Sequence, residues 1–145
     1  MKLKLFYRTD SHVEKYCPND NGVKTSFPSK TIIDLLDDPH FGGGMRVVQD
    51  LFIEYWDSKY RDIKLLIQYG RKMRNKTIFK RLGFLLEINE LADNRTIKSL
   101  QNKISAGYST FSPSAKSKFF IRKWNLQVST MWKQEYDQLK KKFLD

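Results

Sequence analysis

The chain of 145 residues carries a formal net charge of +11, with 40% hydrophobic and 14% aromatic residues, a composition that excludes a disordered segment and suits one folded domain burying about two thirds of its unfolded surface. Its single cysteine, Cys17, excludes an internal disulfide and a multi-cysteine zinc site, and fits a reducing compartment. The opening MKLKLFYR is too short and polar for a secretory signal, and no run approaches the roughly eighteen apolar residues of a membrane span, so a cytoplasmic protein without membrane contact is expected.

In chain order, Leu3, Leu5 and Tyr7 alternate as in a short half-buried strand, Val13 to Cys17 offers a second, and a turn from Pro18 to Gly22 precedes a third, Val23 to Phe27. Ser29 is placed to cap a helix over Lys30 to Asp37, with Ile32, Ile33, Leu35 and Leu36 buried. After three glycines, Gly42 to Gly44, a helix over Met45 to Trp56 turns Val47, Val48, Leu51, Phe52 and Tyr55 inward. A third helix, Asp62 to Met73, buries Ile63, Leu66 and Ile67 and leads through the basic turn RKMRN into Lys76 to Glu87.

That fourth helix is the centre. Ile78, Phe79, Leu82, Leu85 and Leu86 fall on one arc, and Phe84, Ile88 and Leu91 on a nearly opposite one, so it has apolar surface to bury on two sides. Gly83, costing about 1 kcal/mol relative to alanine in a helix, predicts the close approach of another element. Further on, Thr96 to Ile104 reads as a helix, Tyr108 to Lys118 as a loop, and Phe119 to Val128 as one or two strands. Thr130 then caps a last helix, 130–145, whose seam of Trp132, Tyr136, Leu139 and Phe143 suits packing on residues 1–129 or on a partner. The fold class is therefore α+β and mainly helical: a single domain of five to six helices, a small N-terminal antiparallel sheet and one or two late strands.

No catalytic set emerges. Gly42 to Gly44 match neither G-x-x-x-x-G-K-[ST] nor G-x-G-x-x-G and read as a turn, and the D-x-D of a nucleotidyltransferase metal site is absent after them. His12 and His40 lie in separate predicted loops and read as surface residues. The expectation is a non-enzyme without catalytic residues, metal or cofactor. Asp34, Asp37 and Asp38 crowd a helix C-terminus, where acids are disfavoured unless a base answers them. Arg81, between the two apolar arcs, is the expected answer, in a structural ion pair with Asp34 or Asp38.

The charge is unevenly placed. Residues 1–44 hold six basic and six acidic groups, residues 45–100 twelve and seven, and residues 101–145 nine and three. Such a surplus draws polyanions or an acidic protein partner, and it also keeps a protein soluble. Arg71, Lys72, Arg74, Lys76 and Lys80 cluster at a helix start and form the first group of candidate nucleic-acid or toxin contacts. Lys116, Lys118, Arg122 and Lys123 form a second group, beside Phe119, Phe120 and Trp124, which read as core rather than as stacking platforms.

Three segments, PSKTIIDLLDDPHFGGG (Pro28 to Gly44), KTIFKRLGFLLE (Lys76 to Glu87) and FIRKWNLQVS (Phe120 to Ser129), together resemble the C-terminal region of AbiEi-family antitoxins of abortive-infection, type IV toxin–antitoxin systems. The resemblance spans roughly Gly22 to Ser129. It implies a non-enzymatic antitoxin that counteracts a nucleotidyltransferase-like toxin, by direct contact or otherwise, and that assists operon DNA binding. Nucleic acid, DNA or RNA, is the second expected partner, and a sequence-independent phosphate-contacting module is the alternative function. Family members repress their operon through a winged helix-turn-helix that precedes this region. No such segment is read in this chain, so the antitoxin role rather than the repressor role is expected of it.

Overall fold

A computed structural model describes residues 26–113 and 116–144. The first two predicted strands, Cys17 and His12 fall outside these residues. The described architecture is α+β and mainly helical, with six α-helices and one three-stranded mixed sheet.

Helix α1 (Ser26–Asp37) begins earlier than expected, so the end of the predicted third strand, Ser26 and Phe27, is helical instead. Pro28 lies in the first turn, where its missing N–H has no bond to make. Ser29 is consequently inside the helix and not its cap: it is fully buried, with its hydroxyl 2.7 Å from Tyr55 Oη. A short 3-10 turn, Pro39–Gly42, follows and is capped by the Asp38 side chain accepting from His40 N. Gly43 and Gly44 then take φ values of +95° and +103°, which L side chains rarely adopt. The glycine run is a chain reversal, and Val48 and Leu35 already occupy the space a Cβ on Gly42 would need.

Helix α2 (Met45–Trp56) places Val48, Leu51, Phe52 and Tyr55 inward as its periodicity predicts, whereas Val47 is exposed. Helix α3 (Ile63–Lys72) starts where the Asp62 carboxylate accepts from Leu65 N at 3.1 Å. Helix α4 (Thr77–Ile88) is buried from Ile78 through Leu86 without interruption, polar positions included. It is flanked by α1, α3, α5 (Asn94–Gln101) and α6 (Thr130–Leu144).

The sheet comes late in the described chain. Strand β1 (Ser109–Thr110) lies in the stretch predicted as a loop and runs parallel to β3 (Leu126–Val128), while β2 (Phe119–Ile121) is antiparallel to β3, giving the order β1-β3-β2. Between β2 and β3 a 3-10 turn, Arg122–Trp124, ends at Asn125 in the left-handed region with φ +50°. Asn is among the residues that tolerate it. One cluster of buried apolar side chains joins all these layers, from Ile32 on α1 to Trp132 on α6. At its heart Phe84, Phe111 and Trp132 stack edge to face, with centroids 4.8 Å apart for both Phe84–Phe111 and Phe111–Trp132.

Gly83 sits where α4 meets the turn between β2 and β3. A Cβ there would lie 2.1 Å from Trp124 Cζ3, so the absent side chain is what admits the indole ring. One helical turn on, Glu87 accepts from Trp124 Nε1 at 3.0 Å and pairs with Lys123. The last helix packs Trp132 and Leu139 against this assembly and half-buries Tyr136, while Phe143, the end of the predicted seam, is exposed.

Candidate nucleic-acid interface

Two of the cations singled out in the sequence are structural. Lys80 is 1% exposed and donates from Nζ to Gly107 O at 2.8 Å and to Ser109 Oγ at 2.9 Å, anchoring the chain ahead of β1 to the central helix. Burial pushes its pKa below the ordinary lysine value. It is not available to a polyanion, contrary to expectation, because the α4 face predicted to be open is covered by the Gly107–Thr110 segment.

Arg81 is 5% exposed, as its position between two apolar arcs requires, but its partners differ from those expected. Nη1 donates to Leu36 O at 2.7 Å and Asp37 O at 3.2 Å, and Nη2 donates to Thr110 O at 2.9 Å. The guanidinium thus closes the C-terminus of α1, whose last carbonyls have no helical partner, and ties it to β1. Asp34 pairs instead with Lys30 on the surface, and Asp38 caps the 3-10 turn. Burial pulls the Arg81 pKa down to about 10, against the opposing pull of Asp37 and Asp38, which leaves it charged at neutral pH. A planar fork at a helix C-terminus serves the carbonyl dipoles as well as it would serve one carboxylate.

The remaining first-group cations reach solvent, and two of them converge. Arg71 from the end of α3 and Lys76 from the start of α4 line a pocket of about 260 Å³ whose floor is Gly70 and Phe79 and whose far wall is Asn102, Lys103 and Ile104. A second, more open groove shares Asn102 and Lys103 with it and is lined besides by Asn94, Arg95, Lys98 and Ser99 of α5. Five cations therefore line two neighbouring concavities, Arg71 and Lys76 the first, Arg95 and Lys98 the second and Lys103 both, and no carboxylate lines either. None of the five forms a salt bridge with a described residue. The N-terminus of α4 opens beside the first concavity, and the helix dipole adds positive potential there.

Local sequence explains the gathering. Asn75 is fixed by its side-chain amide on Asp37 Oδ1 at 2.8 Å and by its Oδ1 accepting from Thr77 N at 3.0 Å, which sets the sharp turn that brings Arg71 and Lys76 to one rim. Gly70 allows that turn to close, since a Cβ on it would meet the Phe79 ring at 2.9 Å. Lys72 and Arg74 are exposed but do not line the groove; Lys72 Nζ lies 5.8 Å from the Tyr69 ring centre.

Lys103, Lys98 and Arg95 escaped sequence reasoning, which stopped at the dense run before α4. The available signal was their spacing on one helix and its continuation, with no Asp or Glu from Asn94 to Gln134. In the second predicted group, Lys116, Lys118 and Arg122 are exposed, whereas Lys123 is held by Glu87. These residues lie by the sheet and not in the groove.

Chemically the five cations can hold anionic oxygens in several orientations. Among the described residues, no group of three or more His, Cys, Asp or Glu side chains could hold a metal ion. No helix among them is long and apolar enough to cross a membrane. Comparison with family models, curated proteins and solved structures yields no match to this chain.

Proposed function

We propose that this chain is a non-enzymatic, antitoxin-type domain that contacts nucleic-acid phosphates through the groove of Arg71, Lys76, Lys103, Lys98 and Arg95. The observation that carries the phosphate reading is the gathering of five cations, from α3, the start of α4, α5 and the residues just after it, on two adjoining concavities without a carboxylate. Charges so arranged neutralise a backbone without reading sequence, and each phosphate engaged releases counterions.

The antitoxin setting rests on the AbiEi resemblance alone. The three segments that carry the resemblance interlock: Arg81 of KTIFKRLGFLLE grips the α1 terminus of the Pro28 to Gly44 segment, and Gly83 and Glu87 receive Trp124 of the Phe120 to Ser129 segment. On this reading the partner is a nucleotidyltransferase-like toxin, opposed either by direct contact or through a shared nucleic acid, in the cytoplasm.

Coexpression with a nucleotidyltransferase-like toxin of such a system tests the setting. We expect the wild-type chain to restore growth, and the Arg71→Ala, Lys76→Ala, Lys103→Ala variant to fail if opposition runs through nucleic acid and to succeed if it runs through protein contact elsewhere. A wild-type chain that leaves growth arrested contradicts the antitoxin setting and leaves the phosphate reading to be judged by binding alone.

A further inference from the structure

The outer face of the sheet carries an aromatic pair that the core does not use. Phe120 is paired in register with Gln127, and Gln127 with Thr110, so these three share one face, with Tyr108 two residues before Thr110, just ahead of β1. The opposite face, with Ile121, Leu126 and Val128, is the one turned into the core. Tyr108 is 44% exposed and Phe120 53%, yet their rings meet edge to face with centroids 4.7 Å apart. Two aromatics prepacked against each other in solvent lose little freedom when a planar ligand is added.

What surrounds the pair selects the ligand. Lys116, Lys118 and Arg122 are exposed beside β2, and none of the three forms a salt bridge with a described residue. A hydrophobic protein surface would gain nothing from that surplus, whereas a strand of nucleic acid brings both a π face for the rings and phosphates for the cations. The groove described above lies close by along the chain. Tyr108 lies five positions after Lys103, at most about 18 Å of backbone, so one bound strand can reach both.

We infer that the outer face of the sheet, centred on Tyr108 and Phe120, stacks unpaired bases, which makes single-stranded nucleic acid the partner of this domain. The inference rests on the phosphate reading above and adds to it the state of the strand. Bases in a duplex present no free face to an aromatic side chain, so the pair discriminates single from double strands while the groove does not.

The test measures fluorescence anisotropy of labelled oligothymidylate and oligouridylate of about ten nucleotides, within ordinary single-strand site sizes, against duplex DNA of equal length. For Tyr108→Ala, Phe120→Ala we expect single-strand binding to weaken at least about ten-fold and duplex binding by less than about two-fold, with the salt dependence kept. Phe120→Trp should hold the wild-type affinity, which a merely structural role would not predict. The two oligonucleotides distinguish DNA from RNA. Equal losses on single and double strands, or no loss on either single strand, would overturn the inference while leaving the groove intact. A wild-type protein that binds neither form at low salt overturns both readings. Self-association that disappears in the double variant would assign the patch to a second copy of the chain and overturn the inference likewise.

Discussion

Arg81 holds the fold together through carbonyl oxygens and not through a carboxylate. Replacing it by methionine leaves Leu36 O and Thr110 O without their donor, while Asp37 O keeps the Asn75 amide, and at 1 to 3 kcal/mol for each buried group left unpaired a loss of about 3 kcal/mol is expected in urea unfolding. Asp34→Ala should change stability by less than about 0.5 kcal/mol, since its pair with Lys30 is exposed. The reverse ranking would restore the ion-pair account. Gly83→Ala adds a methyl 2.1 Å from the Trp124 ring, so overpacking outweighs the helix-propensity gain of about 1 kcal/mol and a net destabilisation of about 2 kcal/mol should appear as a lowered urea midpoint. That Gly83 faced a close neighbour was legible, because only packing explains glycine inside a buried helix. That the neighbour is Trp124 was not, since the contact joins residues about forty positions apart. The partner of Arg81 was misread for a related reason: a sequence displays side-chain charges but not the carbonyls a helix leaves unpaired at its end.

Among the elements, α4 was the most legible, because two apolar arcs on one helix leave it nowhere to lie but inside. The same reasoning misplaced Lys80. Periodicity marks which faces are apolar, but not that a polar face will be roofed by an irregular segment that supplies acceptors for an ammonium group. Lys80→Met should therefore lower stability by about 1 kcal/mol through the lost bonds to Gly107 O and Ser109 Oγ, and leave binding to polyanions unchanged. A loss of binding at unchanged stability would return Lys80 to the interface. The late sheet was half legible: β-branched and aromatic content marked β2 and β3, whereas the two residues of β1 are too few to alternate. The last helix belongs to the core through Trp132, which packs on Phe84 and Phe111. Trp132→Ala is expected to cost about 3 to 5 kcal/mol, read as a large fall in the thermal midpoint; a negligible effect would mean that α6 is held elsewhere.

At the scale of the whole molecule, the net charge of +11 was evident at once, but charge alone does not separate a solvated surface from an interface. The fold supplies the distinction by collecting Arg71, Lys76, Lys103, Lys98 and Arg95 around two adjoining concavities while consuming Lys80, Arg81 and Lys123 internally. The measurement that bears most directly on this is the dependence of nucleic-acid affinity on salt for two variants of equal net charge. One replaces Arg71, Lys76 and Lys103 by alanine, and the other replaces the exposed Lys59, Lys140 and Lys141, which lie outside the groove. With about 0.7 to 0.9 of slope in log affinity against log salt for each phosphate contact, the groove variant should lose about 2 to 3 of the wild-type slope and the control almost none. Equal loss in both would mean that the charge acts as a diffuse cloud, and the groove would then not be the interface.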